Sequence, residues 1–506
     1  MRARAIAILG TASDVGKSVI AAGLCRIFRR SGLRIAPFKA QNMSLNSYVT
    51  PDGGEIGWAQ AAQAHACRIE PTVDMNPILL KPTSKLGSQV VIQGKVYGNM
   101  RIGDYYALKK QIWEKIKESY RRLARDFDFI VIEGAGGAAE INLRDRDLVN
   151  FRMAQFAGAD VLLVADIERG GVFGSLMGTL ALIRPSERKR VKGLIINKFR
   201  GDKQIFDGGI DFLERRTGIP VLGVIPYYEA MAIPEEDSVA LERKSKEAKP
   251  FTSETINIAV LRLPHLANYT DFAALEREQT VALRYLNAKE DLSGADVVIL
   301  PGTKSTLNDL AWLRSKGWAD AISSHARRGG RVIGICGGYQ MLGEEVRDLH
   351  GIDGNKRRGK GLGLLPLVTG MVEPKITQRV IARSLMNGCA GSVPAYEIHM
   401  GRTAARETIL PAFKIIQRAG VNVSDSDGAV AQAGRVWGTY LHGIFADPGF
   451  RASWLDNLLS LKGLRRKNLR RQSKDPYDTW AALLRRHLDM KRIFTLIEPD
   501  TLRHFS

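Results

Sequence analysis

A cysteine framed by glycines is the first group in this chain whose surroundings suit chemistry. Arg331-Val332-Ile333-Gly334-Ile335 is a short apolar run that delivers Cys336-Gly337-Gly338. A strand entering a helix through such a turn is a thiol form of the nucleophile elbow: glycines remove the clashes, the turn pushes the sulfur outward, and the helix N-terminus favours thiolate. The N–H of Gly337 is then one half of an oxyanion hole. Gly302, in Pro301-Gly302-Thr303-Lys304-Ser305, is the candidate for the other half. The base must come from another segment. Val436 to Leu441 is strand-like and ends at His442-Gly443, so thiol and imidazole at two strand ends fit Cys–His nucleophilic catalysis. His399, in Tyr396 to Gly401, is a rival base, and a buried structural thiol is the alternative for Cys336.

A second set of residues suits phosphate. Ala5 to Leu9 runs into Gly10-Thr11-Ala12-Ser13-Asp14-Val15-Gly16-Lys17-Ser18. This is a phosphate loop with one extra residue between its glycines. Backbone N–H groups at Gly10, Thr11 and Gly16 can approach phosphate oxygens, Lys17 supplies a point charge, and Ser18 can ligate Mg2+. The expected ligand is ATP with Mg2+. Glu133 ends the apolar run Phe129 to Ile132 and is placed to hold the same cation. Asp166 ends the run Val161 to Ala165, where metal or acyl-phosphate binding competes with a local salt bridge. Lys39, Gln41 and Asn42 follow the run Ile35 to Phe38 and are candidates to touch phosphate or substrate, with plain surface polarity as the alternative.

These groups need parallel sheets beneath them. Short buried-strand patterns at Ala5 to Leu9, Phe129 to Ile132, Val161 to Ala165, Gly193 to Ile196 and Val221 to Ile225 alternate with amphipathic stretches such as Tyr105 to Arg125. That alternation predicts an α/β domain whose sheet is covered on both faces. After a polar stretch, a second α/β series begins at Ile256 to Leu261 and continues through Val297 to Leu300, Arg331 to Ile335 and Val436 to Leu441. The expected division is a nucleotide-binding domain at 1–233, a linker at 234–254, a thiol domain at 255–449 and a basic helical extension at 450–506.

The chain has 506 residues, 45% hydrophobic and 25% charged, which excludes disorder as its main state. Its 4 cysteines are scattered with no C-x-x-C pair, which argues against a disulfide scaffold and the common zinc sites. No apolar run reaches the roughly 18 residues of a membrane helix, and the N-terminal apolar stretch is too short for a signal-peptide core. A cytoplasmic protein without membrane contact is expected. Lys and Arg number 74 against 53 Asp and Glu, a net charge of +21 that suits anionic partners. The densest basic run, Lys462 to Arg471, lacks interleaved aromatics, so no nucleic-acid partner is expected.

The loop form Gly10-Thr11…Gly16-Lys17-Ser18 resembles dethiobiotin synthetase and its carboxylate-phosphorylating relatives. It lacks the early lysine of partition-type ATPases. That resemblance makes Asn197, at the end of Ile195-Ile196, a reader of the adenine edge. The whole set resembles class I glutamine amidotransferases and, more narrowly, the cobyric acid synthase family. The carrying segments are Gly10 to Ser18, Phe38 to Ser44, Glu133 to Gly137, Asp166 to Gly171, Leu300 to Lys304, Gly334 to Gly338 and Tyr396 to Gly401. The resemblance implies two doubly wound domains, P-loop NTPase-like and then flavodoxin-like. It implies a cobalamin-pathway ligase that takes ammonia from glutamine and amidates the b, d, e and g carboxylates of adenosylcobyrinic acid a,c-diamide through acyl phosphates. Sister amidotransferases, the a,c-diamide-forming synthase or a cell-wall glutamate amidase, are the competing readings within the same class. A DNA-binding nucleotide switch of the partition type is the competing reading from another, which the absent early lysine and the Cys336/His442 set argue against. Most class I members carry a glutamate two residues after the histidine; Ile444 stands there, and the group that orients His442 is left unassigned.

Overall fold

The structure is a computed structural model that describes residues 3–84, 87–228, 241, 248–287, 292–354, 356–389, 391–465 and 475–497. The first domain is built on a parallel sheet of β1 (Arg4–Gly10), β2 (Ile35–Phe38), β3 (Phe129–Glu133), β4 (Asp160–Asp166), β5 (Val191–Phe199) and β6 (Val221–Pro226), in the order β6-β5-β4-β1-β3-β2. Side chains of a strand alternate between faces. In β1, Ala7 and Leu9 enter one apolar core while Ile6 and Ile8 enter another, so both faces are covered. The central register pairs Ile8 with Glu133 and Gly10 with Val164, which gathers the ends of β1, β3 and β4 around the phosphate loop. Helix α1 (Lys17–Arg30) leaves that loop directly, and α2 (Trp58–Ala66) packs on it. A four-stranded sheet of Gln41–Met43, Ile78–Ser84, Gly87–Ile92 and Lys95–Arg101 and a hairpin of Ser47–Val49 with Glu55–Gly57 are inserted after β2.

The second sheet holds β7 (Ile256–Leu261), β8 (Val281–Leu286), β9 (Val297–Leu300), β10 (Arg331–Ile335), β11 (Ala429–Ala431) and β12 (Val436–Thr439), in the order β8-β7-β9-β10-β12-β11. All of its pairings are parallel except that of the edge strand β11. Helix α3 (Thr306–Ser315) follows the loop after β9, and α4 (Gly337–Leu342) follows β10 at Cys336. The run Val436 to Leu441, expected as one strand, is split. Val436–Thr439 stays in the parallel sheet, while Leu441–His442 pairs with Glu397 and Tyr396 of a long antiparallel hairpin, Leu367–Ser384 with Ser392–Ala405. That change of sheet sets His442 opposite Tyr396.

The C-terminal segment does more than extend the chain. Helices α5 (Pro476–His487) and α6 (Met490–Ile497) return to the first domain, where Trp480, Leu484, Ile493 and Ile497 share a core with Ile6 and Ile8. Gly23 of α1 leaves no room for a Cβ beneath Leu484 and Trp480, which is why a glycine stands mid-helix there. Trp480 Nε1 donates to Val19 O at 2.7 Å, and the buried Arg26 pairs with Asp475 at 3.0 Å. Most of the expected linker, and the basic run from 466 onward, lie outside the described residues; Leu241 is buried in the second domain's core. Among the described residues no helix is long and apolar enough to cross a membrane.

Candidate active sites

Cys336 sits at φ 51°, ψ −108°, a left-handed backbone that a residue with a Cβ rarely adopts. The glycines around it are required by space. A Cβ on Gly334 would lie 2.6 Å from Gly338 O, and one on Gly338 would collide with Leu300 O. A Cβ on Gly302 would lie 3.0 Å from His442 Cε1 and 3.9 Å from Cys336 Cβ, so the Gly302 backbone closely borders both residues. The N–H of Gly337 opens α4, a position that has no acceptor within its own helix.

His442 is fully buried, and its Nδ1 donates to Asp271 Oδ2 at 2.7 Å. The other carboxylate oxygen accepts from Gly443 N at 2.9 Å. Asp271 therefore fixes the ring and leaves Nε2 as the nitrogen available to the thiol. Burial opposes the imidazolium, but the charges of Asp271 and Cys336 outweigh it and push His442 up to about 10. The ring also stacks on Tyr396, centroids 5.3 Å apart. The rival base, His399, borders the same pocket but donates Nδ1 to Gly401 O at 2.9 Å and has Nε2 3.7 Å from Glu397. Asp271 was not predicted. Its one sequence signal was a lone acid inside the apolar stretch Leu266 to Leu275, 171 residues before its partner.

The loop carrying Gly302 is held from below. Asp309 of α3, fully buried, lies 2.7 Å from His265 Nδ1 and accepts from Thr303 Oγ1 at 2.5 Å. Ala267 N donates to Gly302 O at 2.9 Å, and Lys304 N to His265 O at 3.0 Å. A nucleophile and a base held by a carboxylate are what acyl transfer through a thioester needs.

At the phosphate loop, Lys17 Nζ donates to Ala12 O at 2.8 Å and Gly136 O at 3.0 Å, which suspends the ammonium over the loop. Gly16 has φ 97°, and a Cβ there would strike Asn197 Nδ2; one on Gly10 would lie 2.9 Å from Lys17 Nζ. These are cradle glycines that a side chain would fill. Thr11 N donates to Val164 O at 2.9 Å. Asn197 is buried against the loop and donates to Val15 O at 2.9 Å.

Glu133 is the hub of this site. It accepts from Ser18 Oγ at 2.6 Å, Lys39 Nζ at 2.7 Å, Gln63 Nε2 at 2.6 Å and Gln60 Nε2 at 3.3 Å. Burial opposes its charge, but Lys39 and these donors prevail and hold the carboxyl below its ordinary range. Asn42 Nδ2 donates to Gln60 Oε1 at 3.0 Å, and Gln41 accepts from Tyr105 OH. Gln60 and Gln63 were not predicted; only the fold brings α2 to the end of β3. Ser18 and Glu133 pair a hydroxyl with a carboxylate, hard oxygen donors that fit Mg2+. Asp166, expected with them, engages Lys198 Nζ at 2.8 Å and Glu168 N at 2.8 Å from the strand on the other side of β1. Among the described residues no cluster of three His, Cys, Asp or Glu could hold a metal alone, so a cation at Ser18 and Glu133 would take its remaining ligands from phosphate and water.

A phosphate-loop nucleotide-binding domain joined to an amidotransferase domain defines a glutamine-dependent ligase. Residues 6–239 match the CobQ/CobB/MinD/ParA nucleotide binding domain, and residues 257–450 match the CobB/CobQ-like glutamine amidotransferase domain. The cobyric acid synthase of Syntrophobacter fumaroxidans is 48% identical over 510 residues, covering 98% of this chain and 99% of that protein. Those of Pelotomaculum thermopropionicum and Moorella thermoacetica are each 47% identical, covering 98% of this chain and 97% of theirs. The chain belongs to the cobyric acid synthase family, enzymes of cobalamin biosynthesis with glutamine-dependent amidation chemistry.

Proposed function

We propose that this enzyme converts adenosylcobyrinic acid a,c-diamide to adenosylcobyric acid by amidating its b, d, e and g carboxylates, with glutamine as nitrogen donor and one ATP used per amide. The observation that carries this reading is the Cys336–His442–Asp271 array in the same chain as the Lys17, Ser18 and Glu133 site. Cys336 sulfur attacks the γ-carboxamide carbon of glutamine. The resulting oxyanion is received by the N–H groups of Gly302 and Gly337, and His442 passes its proton to the leaving nitrogen. Ammonia departs and a glutamyl thioester remains, which water hydrolyses with His442 as base.

A carboxylate cannot expel oxide, so the acceptor must first be activated. Its oxygen takes the γ-phosphoryl group of ATP, giving an acyl phosphate; ammonia then adds at the carbonyl and phosphate leaves. Gly10, Thr11 and Gly16 cradle the phosphates, Lys17 stabilises the charge on the transferring group, and Asn197 reads adenine. Ser18 and Glu133 hold the Mg2+, whose chemistry is to neutralise phosphate charge. Lys39, Gln41 and Asn42 form the acceptor wall, where Lys39 also balances Glu133. The test is to incubate the protein with the a,c-diamide, MgATP and glutamine and to follow product masses and phosphate. Single-amide steps ending at four added amides, with one phosphate each, are expected. A fixed one-amide product, or no turnover of this corrinoid, would move the assignment to a sister amidotransferase.

A further inference from the structure

The pocket in front of Cys336 has a charge imbalance that the chemistry above does not use. Lys81, Lys304 and Lys375 all line it, while Asp353 is the lone carboxylate among its described lining residues. Glu55, behind the pocket and buried, pairs with Lys81 at 2.6 Å and Lys375 at 2.5 Å. Asp353 accepts from Leu307 N at 2.9 Å and Thr306 N at 3.2 Å, at the start of α3. Among the described residues, the Lys304 ammonium has no hydrogen-bonding or ion-pair partner. Its backbone is pinned two residues from Gly302, so it stands at a fixed place beside the thiol. Burial, and then repulsion from Lys81, lower the pKa of its ammonium, against the attraction of Asp353 and Glu55. A buried cation in a crowd of like charge is costly unless an anion joins it.

We infer that these cations form the recognition site for the α-carboxylate of glutamine, with Lys304 as direct partner and Lys81 as a second charge supplied by the other domain. The inference rests on the reading of Cys336 as the glutamine-hydrolysing nucleophile. It assigns the position that selects an α-amino acid over other primary amides. It also makes the glutamine site a joint product of both domains. Lys81 lies on the strand Ile78–Ser84 of the first domain, and its Glu55 anchor lies on the first domain's hairpin. That hairpin is docked by bonds from Ser47 N to Asn268 Oδ1 at 2.8 Å and from Arg379 Nε to Val49 O at 2.9 Å.

The test compares ammonia release by the full chain from L-glutamine and from L-glutamine α-amide, which keeps the γ-carboxamide but lacks the carboxylate. The wild-type chain should prefer glutamine in kcat/KM by at least about 10²-fold, the discrimination expected when a site's charged group is left unpaired. Lys304→Met should remove most of that preference, through KM for glutamine, with the α-amide nearly unaffected. Lys304→Arg should keep part of the preference, and Lys81→Met should lose a smaller part of it. A Lys304→Met chain that loses both substrates equally would reduce the lysine to a structural role and overturn the inference, as would a wild-type chain indifferent to the carboxylate. Release from neither substrate would instead remove the glutaminase reading, and this inference with it.

Discussion

The two sites of this chain are prepared to different degrees. Around Cys336 the reactive parts are already set by the protein: Asp271 holds His442, Gly302 borders both the imidazole and the thiol residue, and the backbone of Cys336 is strained into place. Around Glu133 the charges are satisfied internally. The carboxylate is ringed by Lys39, Ser18, Gln60 and Gln63, and Lys17 leans on neutral backbone carbonyls. Covalent catalysis needs its nucleophile and base set by the protein, because nothing else supplies them. Phosphoryl transfer instead takes charge and ligands from MgATP, so a site for it can rest in a neutralised state until they arrive. Lys17 illustrates this: carbonyl oxygens compete weakly with a phosphate, whereas the carboxylate on Lys39 competes strongly.

Substitutions can separate the two sites. Lys17→Ala should lower amide formation about 10²- to 10⁴-fold with either glutamine or ammonium, while glutamate release persists. Near-normal amidation would break the assignment of the phosphate loop. Asp271→Asn should reduce glutamate release by about 10²-fold and leave ammonium-dependent amidation unchanged. It should also move the imidazole ionisation in the pH profile downward from about 10, since Asp271 is one of the charges that raise it. The linkage has a matching sign: a raised His442 stabilises the fold fully below its ordinary 6.5, and that contribution is lost as pH rises toward 10.

Away from both reactions, Trp480→Ala should cost about 3–5 kcal/mol of stability by emptying the space over α1, visible as a lower melting temperature. Because α1 begins at Lys17, nucleotide binding should weaken before glutamate release does. The smallest effect concerns the thiol pocket. Burial opposes the Lys375 ammonium and, against the attraction of Glu55 and with repulsion from Lys81 and Lys304, brings it down to about 8. Above that pH the pocket loses positive charge. A few-fold fall in kcat/KM for glutamine, with none for the α-amide, is expected between pH 7.5 and 9 (roughly one unit about that ionisation).

The parallel strands were legible because each is a continuous apolar run, and the cysteine and phosphate loops because glycines mark where backbone must come close. Ile256–Leu261, Val297–Leu300 and Arg331–Ile335 occur with the expected bounds. Asp271 was not legible, since a carboxylate that orients a base is specified by three-dimensional reach and not by spacing in sequence. The same holds for Glu55, whose lysine partners lie 26 and 320 residues away. The return of α5 and α6 to the first domain was missed for a related reason. An amphipathic helix announces that it has an apolar face but not which sheet will cover it. For Asp166 the sequence leaves two alternatives, a metal or acyl-phosphate ligand and a local salt bridge. In the structure it pairs with Lys198, a partner on the neighbouring strand that spacing does not single out.

The division of labour between the two regions is tested most directly by one variant under two nitrogen sources. Cys336→Ala, supplied with MgATP and the proposed corrinoid acceptor, should form no amide from glutamine. It should form amide at close to the wild-type rate from ammonium, because Lys17 and Glu133 lie in the other domain and are untouched. A folded Cys336→Ala chain that still uses glutamine, or one that ammonium does not rescue, would contradict the account.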